Sequence, residues 1–445
     1  MKNRIFCNGY GLFAYYSIEK TIGVCLLTSI RIEGGVPLNG TVCIQGSKNA
    51  VLPMMAAALL HEGTTVLDNC PRITDVFCME EILNSLGVRT SWKGNRITID
   101  CSSVRRAHVA SNMANCMRSS IILMGSMLGR KGRISIAYPG GCIIGKRPID
   151  IHIHTLQQMG VYIEECGGVL KASAEQLKGA EIHFPKSSVG ATENALLAAT
   201  LAEGMTILHN SSYEPEIIHL CGLLVAMGAD ITGIGTRTLV IRGKQTLHDT
   251  EYTVPADRIA AGTYLYAGAI TRGKVTLINA PIDELKATLE VYEKMGGQYE
   301  VNSGKLVSNS NSVSEAISFV ETSEYPGFPT DMQSVLMAVM TTLSGSGQIR
   351  ESIFEDRYKI VPHLNQMGAN ILLDGRDALI TGGSRLTGRH IFAEELRGGA
   401  ALILAGLAAR GTTVIDNPHF IDRGYEDIEG VITAFGGKIH RNTGE

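Results

Sequence analysis

Apolar and polar positions along this chain follow two periods that recur in a fixed order. An Ala-, Leu- and Met-rich run patterned for a helix is followed by a Gly and a short β-branched run. A loop, a second helical segment, another Gly and a further strand complete the unit. The first copy runs AVLPMMAAALLHEGTTVLDN over residues 50–69 and closes with LNSLGVRT at Gly87. Matching copies begin at ENALLAATLAEGMTILHN (193–210), AAGTYLYAGAITRGKVTLIN (260–279) and GGAALILAGLAARGTTVIDN (398–417). Looser copies, RSSIILMGSMLGRKGRISIA (118–137) and DMQSVLMAVMTTLSGSGQIRES (331–352), fill the gaps. The closing glycines, Gly87, Gly160, Gly228, Gly296, Gly368 and Gly436, recur about every seventy residues.

This pattern predicts an α/β protein built from six βαβαβ-type repeats. Runs such as TTVLDN and TTVIDN are strands ending in turn formers. The Gly after each first helix is expected at the C′ position, where the chain turns left-handed. Those first helices are apolar nearly all round, so they are expected to be buried on every side. Helices then form the interior and sheets the walls: a two-lobed, inside-out α/β barrel with three repeats per lobe. A cleft between lobes is the natural active site.

Composition changes this picture little. Apolar residues make up 44% and charged residues 19%, with 50 Gly and a net charge of −3, so nothing favours nucleic acid or an anionic membrane. No apolar run approaches the roughly 20 residues of a membrane span. The ten cysteines form no CxxC pair and no disulfide framework, which suits a reducing, cytoplasmic compartment. Most of them, including Cys43, Cys70, Cys101 and Cys221, read as small buried hydrophobes. Residues 1–28 lack the pattern and read as a disordered extension, consistent with translation assigned from an upstream start. Glu19 and Lys20 interrupt the apolar stretch that a signal peptide would need.

The densest chemistry lies in YPGGCIIGKRPIDIHIH, residues 138–154. GGCIIGK resembles the start of a phosphate-binding P-loop, but Arg147 replaces its Ser/Thr and Pro148 blocks the helix that should follow. What remains is Cys142 on a Gly-flanked loop beside Lys146 and Arg147, cations that favour the thiolate. The pair His152 and His154 reads as packing rather than metal ligation. Lys48 and Asn49 stand at a strand-to-helix junction with Ser47 as N-cap, a setting that suits phosphate. Asp331, in YPGFPTDMQS, stands where a helix begins and reads locally as an N-cap. ELRGGAA (395–401) and FIDRGYED (420–427) bring further Arg and carboxylate groups to repeat boundaries.

Together, GSKNAVLP, PGGCIIGKRP, SSVGATEN, YPGFPTDMQ, ELRGGAA and HFIDRGYE closely resemble the UDP-N-acetylglucosamine 1-carboxyvinyltransferases, enolpyruvyl transferases that open peptidoglycan synthesis. The resemblance runs from about Ser29 to the C-terminus. It implies lobes of 48–255 and of 29–47 plus 256–445, with transfer from phosphoenolpyruvate to the sugar 3-hydroxyl by addition and elimination. By position, Cys142 resembles the loop cysteine that protonates the phosphoenolpyruvate methylene, and alkylation there by epoxide inhibitors is implied. Lys48, Asn49, Arg147 and Arg423 resemble the residues holding that substrate, joined by Arg118. Asp331 resembles the carboxylate that contacts and deprotonates the sugar hydroxyl. Arg118, Arg147, Pro148, Ile149, Asp150, Ile151, Lys186, Ser187, Ser188, Val189 and Ile353 correspond to UDP-sugar contacts. Glu395 and Arg397 support the site, although members often carry Asp where Glu395 stands. Neither metal nor organic cofactor is implied. The related shikimate 3-phosphate enzymes are disfavoured because their LGNAGTAMRP-type sequence is absent. A non-catalytic, UDP-sugar-binding paralogue is motivated by Glu395 alone.

Overall fold

The computed structural model describes residues 28–140, 144–145 and 148–442. Its six sheets are four-stranded, and five of them follow one plan, shown by the second repeat. His108–Val109 runs parallel to Arg133–Ala137, which follows the buried helix, and the hairpin Tyr162–Cys166/Val169–Ser173 adds two antiparallel strands. Three strands reach across the chain to complete sheets begun elsewhere. Thr250–Thr253 pairs parallel with Thr64–Asp68, closing the first ring. Asn39–Cys43 pairs parallel with Lys274–Ile278, and Ser29–Glu33 sits between Thr412–Asp416 and Lys438–Asn442. The N-terminal strands therefore belong with the C-terminal half.

Buried apolar side chains fall into two clusters. One spans Ala50 to Val254; the other joins Ile30–Ile44 to Ala256–Ile439. Helices form both centres, as their composition requires. Every residue of Arg258–Thr271 and of Gln333–Thr341 is buried, as is Ala50 to Ala58 in Lys48–Ala58. Small residues make this packing possible. A side chain at Gly125 would strike the Asn194 backbone, while the Asn194 amide bridges the helices by accepting from Gly125 N (2.6 Å) and donating to Ile121 O (3.0 Å).

The lobes are joined by two chain crossings held side by side. Ser47 N donates to Pro255 O (2.7 Å) and Asp257 N to Gln45 O (2.9 Å), around a bridge between Gly46 and Ala256. Gly46 is obligatory there, because a Cβ would collide with the Asn69 carbonyl.

Three local expectations need correction. All six closing glycines do adopt positive φ, but of the glycines after the buried helices only Gly132 caps its helix directly. Gly204, Gly345 and Gly411 turn left-handed just before the following strand, and in the fourth copy Arg272 takes the left-handed place instead of Gly273. Cys70, Cys101 and Cys221 are buried, but Cys43 is exposed, because strand alternation turns Val42 inward and Cys43 outward. Asp331 does not cap a helix; Pro329 holds that position before the short turn Thr330–Met332, leaving the carboxylate free for the contacts below. The expected N-terminal extension lies, except for Thr28, outside the described residues.

Candidate active site

Two carboxylates, one buried and one half-buried, organise the basic residues that face the junction of the lobes. The first is Asp75, in the opening turn of helix Thr74–Leu86 and 2% exposed. Lys48 Nζ lies 3.2 Å from Asp75 Oδ2, and Ser47 caps the helix that carries Lys48 by accepting from Ala50 N. Arg423, from the other lobe, donates through Nε to Asp75 Oδ1 (2.8 Å) and through Nη2 to Oδ2 (3.2 Å). Burial by itself would raise the Asp75 carboxyl, but Lys48 and Arg423 outweigh it and hold it below the ordinary range. The backbone pairs here too, Thr74 N donating to Asp422 O (3.0 Å).

The second carboxylate is Asp331. Arg357 Nη2 donates to Oδ1 at 2.6 Å, Arg397 Nη2 to Oδ2 at 3.0 Å, and Asn49 Nδ2 to Oδ2 at 3.4 Å. Burial pushes this carboxyl up, while Arg397, Arg357 and Lys48 pull it well below the usual carboxylate value. Lys48 thus acts on both carboxylates, and the two clusters form one site. Each guanidinium has its own support. Arg397 Nη1 reaches the Tyr425 hydroxyl (3.4 Å), which is 2.8 Å from Thr263 Oγ1. Arg357 Nη1 donates to Thr330 Oγ1 (2.8 Å), which donates to Glu351 Oε2 (2.8 Å). Fully buried Glu351 also accepts from Ile353 N and Phe354 N at 2.9 and 3.0 Å.

Glu395 has a structural task. It is the N-cap of helix Leu396–Ala408, and its buried carboxylate folds back to accept from Arg397 N (2.7 Å) and Gly398 N. The longer side chain finds room because residue 398 has no Cβ, which would lie 2.5 Å from Glu395 Oε1.

Some of the remaining sequence candidates lie outside the described residues. They are Cys142, Lys146 and Arg147. Arg118 Nη2 donates to Pro148 O (3.2 Å), tying the start of helix 118–131 to the far end of the cysteine loop. Asp150 is exposed in the first turn of Asp150–Gln158, while Ile149 and Ile151 are buried. Lys186 and Val189 are exposed and Ser187 is half-buried; Ser188 caps Val189–Ala199 by accepting from Ala191 N. Ile353 is half-buried on the opposite lobe. Ile144 O accepts from Asp356 N (3.2 Å), so the segment just after Cys142 rests on that lobe. His152 Nδ1 pairs with Asn194 Nδ2 at 2.9 Å, a packing contact.

Comparison with known proteins places this geometry. The model of the EPSP synthase (3-phosphoshikimate 1-carboxyvinyltransferase) family matches residues 32–432. UDP-N-acetylglucosamine 1-carboxyvinyltransferase 2 of Caldanaerobacter subterraneus subsp. tengcongensis is 44% identical over 92% of this chain and 99% of its own. The chain belongs to the carboxyvinyltransferase family. The Shewanella amazonensis UDP-N-acetylglucosamine 1-carboxyvinyltransferase is 42% identical over 93% of this chain and 100% of its own. Among solved structures, the enolpyruvyl transferase NikO from Streptomyces tendae has a TM-score of 0.84 at 24% identity, covering 94% of this chain and 100% of that one. EPSP synthase from Acinetobacter baumannii has a TM-score of 0.72 at 20% identity, covering 93% and 100%. Both share the fold.

Within this carboxyvinyltransferase, sequence reading missed Asp75, Glu351 and Arg357. Nothing in the sequence marks Asp75, because its partners Lys48 and Arg423 meet it only in the folded chain. Arg357 lies in a loop with no periodic pattern. Among the described residues, one group has metal-ligand character, Glu181, His183 and His209; it belongs to the strands of the third repeat's sheet and not to the Asp331 cluster. No helix of the described residues is long and apolar enough to cross a membrane.

Proposed function

We propose that this chain transfers the enolpyruvyl group of phosphoenolpyruvate to the 3-hydroxyl of UDP-N-acetylglucosamine, releasing phosphate and opening peptidoglycan synthesis in the cytoplasm. One observation carries the reading. Lys48, Arg423, Arg357 and Arg397 converge from both lobes on two adjacent carboxylates, a concentration of positive charge matched to a small, highly anionic substrate. Lys48, Asn49, Arg423 and Arg147 hold phosphoenolpyruvate, with Arg118 beside them. The uridine sugar lies along Arg118, 147–151, 186–189 and Ile353, with its 3-hydroxyl at Asp331. Cys142 protonates the methylene carbon as the sugar oxygen adds, and elimination then expels phosphate.

Asp331 orients the hydroxyl first. While Arg397 and Arg357 remain paired with it, its carboxyl is too acidic to take a proton readily. Phosphoenolpyruvate draws those guanidinium groups toward itself and restores basicity to Asp331 as the complex forms. Lobes of 48–255 and of 29–47 plus 256–445 close around this chemistry and exclude water.

Phosphate release from phosphoenolpyruvate, measured with UDP-N-acetylglucosamine, with shikimate 3-phosphate and with neither, tests the assignment. Release only with the UDP-sugar, reduced at least a hundredfold by Cys142→Ala, is expected. Release with shikimate 3-phosphate alone would reassign the acceptor. No release despite UDP-sugar binding would leave a non-catalytic binding protein.

A further inference from the structure

Outside the proposed chemistry, three metal-ligand side chains meet on the solvent face of one sheet. Glu181 and His183 lie two residues apart on strand Glu181–His183, so they project from the same face. Strand Met205–His209 runs parallel beside it, and the register sets His209 directly opposite His183. The two imidazoles lie face to face, with ring centroids 4.3 Å apart and planes 13° from parallel. Both turn Nε2 toward one oxygen: His209 Nε2 is 2.9 Å and His183 Nε2 3.7 Å from Glu181 Oε1. One donor atom from each of the three residues lies within 4.8 Å of the other two. Glu181 and His183 are exposed and His209 is half-buried, so the cluster is open to solvent.

We infer that Glu181, His183 and His209 form a binding site for a divalent transition ion of the zinc class. Two imidazole nitrogens and one carboxylate oxygen are a zinc donor set, with coordination positions left over for water. Donors bound at 2.0–2.2 Å in a tetrahedron stand about 3.3–3.6 Å from one another. The observed 2.9 and 3.7 Å fall on either side of that spacing, so side-chain adjustment alone seats the ion and the strands need not move. A surface ion pair requires a single histidine; the second imidazole, stacked on the first and facing the same oxygen, makes the group a chelate. When the ion binds, each imidazole carries its proton on Nδ1 and gives its Nε2 lone pair to the metal. Glu181–His183 is a three-residue strand at the edge of its sheet, and the chain runs from it into Lys186–Val189. The ion fastens this edge to the neighbouring strand. Glu181 and His209 are 28 residues apart in the chain and meet only through the strand register, so the ion binds the folded protein in preference to the unfolded one and stabilises it.

Neither the site nor its test depends on the transfer reaction, so its failure would leave the proposed function standing. Full-length protein, with its accessible thiols alkylated so that cysteine does not compete, is titrated with Zn2+ in a calorimeter. Saturable binding is expected in wild type, weakened at least tenfold in His183→Ala, in His209→Ala and in Glu181→Gln. His440→Ala, which removes an exposed histidine from a different sheet, should bind as wild type does. Saturating Zn2+ should raise the melting temperature of wild type by a few degrees and leave that of the His183→Ala/His209→Ala double variant unmoved. Equal melting temperatures of the two proteins without metal would show that the double variant folds. An excess of Mg2+ should not displace the zinc, because imidazole favours the transition ion. No saturable binding by wild type, or binding undiminished in both histidine variants, would overturn the site. Displacement by Mg2+ would overturn ligation by the two histidines.

Discussion

At the scale of single residues, the site depends on carboxylates that earn their place by organising cations. Asp75 touches both Lys48 and Arg423, one from each lobe. Removing one member of a buried charged group typically costs about 3–5 kcal/mol. Asp75→Asn should therefore lower unfolding free energy by about 3 kcal/mol at pH 7, as read by urea denaturation. It should also reduce kcat/KM for phosphoenolpyruvate at least tenfold. The sign with pH follows from the depressed carboxyl. Its contribution is fully present above the unfolded value of about 4 and is lost as pH falls through the folded one, so the gap between wild type and variant should shrink below about pH 4. Asp331 shows how local reading misleads: the position resembled an N-cap, whereas its carboxylate serves Arg357 from a loop and Arg397 from the first turn of a helix.

At the scale of elements, helix termini deliver the site. Lys48, Asp75, Ser188 and Arg397 all stand in or beside the first turn of a helix, where unpaired N–H groups and the helix dipole favour anions. Glu395 exemplifies the coupling, since its carboxylate caps the helix that presents Arg397. Glu395→Asp should retain the cap and keep both stability and kcat within about a factor of three, while Glu395→Ala should lose about 1–2 kcal/mol. Thermal unfolding and initial rates measured together check this. A large loss of kcat in Glu395→Asp at unchanged stability would give this glutamate a direct chemical role.

At the scale of the whole molecule, the lobes meet through charge as well as through the paired crossings. Arg258, at the start of a second-lobe helix, donates to Glu216 Oε1 at 3.0 Å and to Glu214 Oε2 at 3.1 Å on the first lobe. Behind them lies Glu193, 7% exposed, whose carboxyl is pushed up to about 8 by burial first and by Glu216 second. A raised carboxyl stabilises the fold fully below the unfolded value of about 4.3 and loses that contribution as pH rises through the folded value. Glu193→Gln should consequently flatten the decline in melting temperature between pH 5 and about 8, leaving the variant a few degrees more stable than wild type at pH 8.5. Parallel pH profiles for the two proteins would contradict this.

The repeats and the inward helices were legible in the chain itself, because periodicity and glycine spacing are properties of neighbouring residues. Lys48 was a local candidate for phosphate, whereas Asp331, Arg397 and Arg423 gained their roles as candidates only through the family resemblance of their motifs. The sequence by itself thus determined six units whose first helices are too apolar to face water. Only the tertiary structure decided which strands complete which sheets, so that Ser29–Glu33 lies between strands near residues 412 and 442. It alone revealed Asp75 between Lys48 and Arg423, and Arg357 and Arg397 on one carboxylate. Those pairings join residues far apart in the chain, and their energy arises from burial and charge proximity, which exist only once the lobes have assembled.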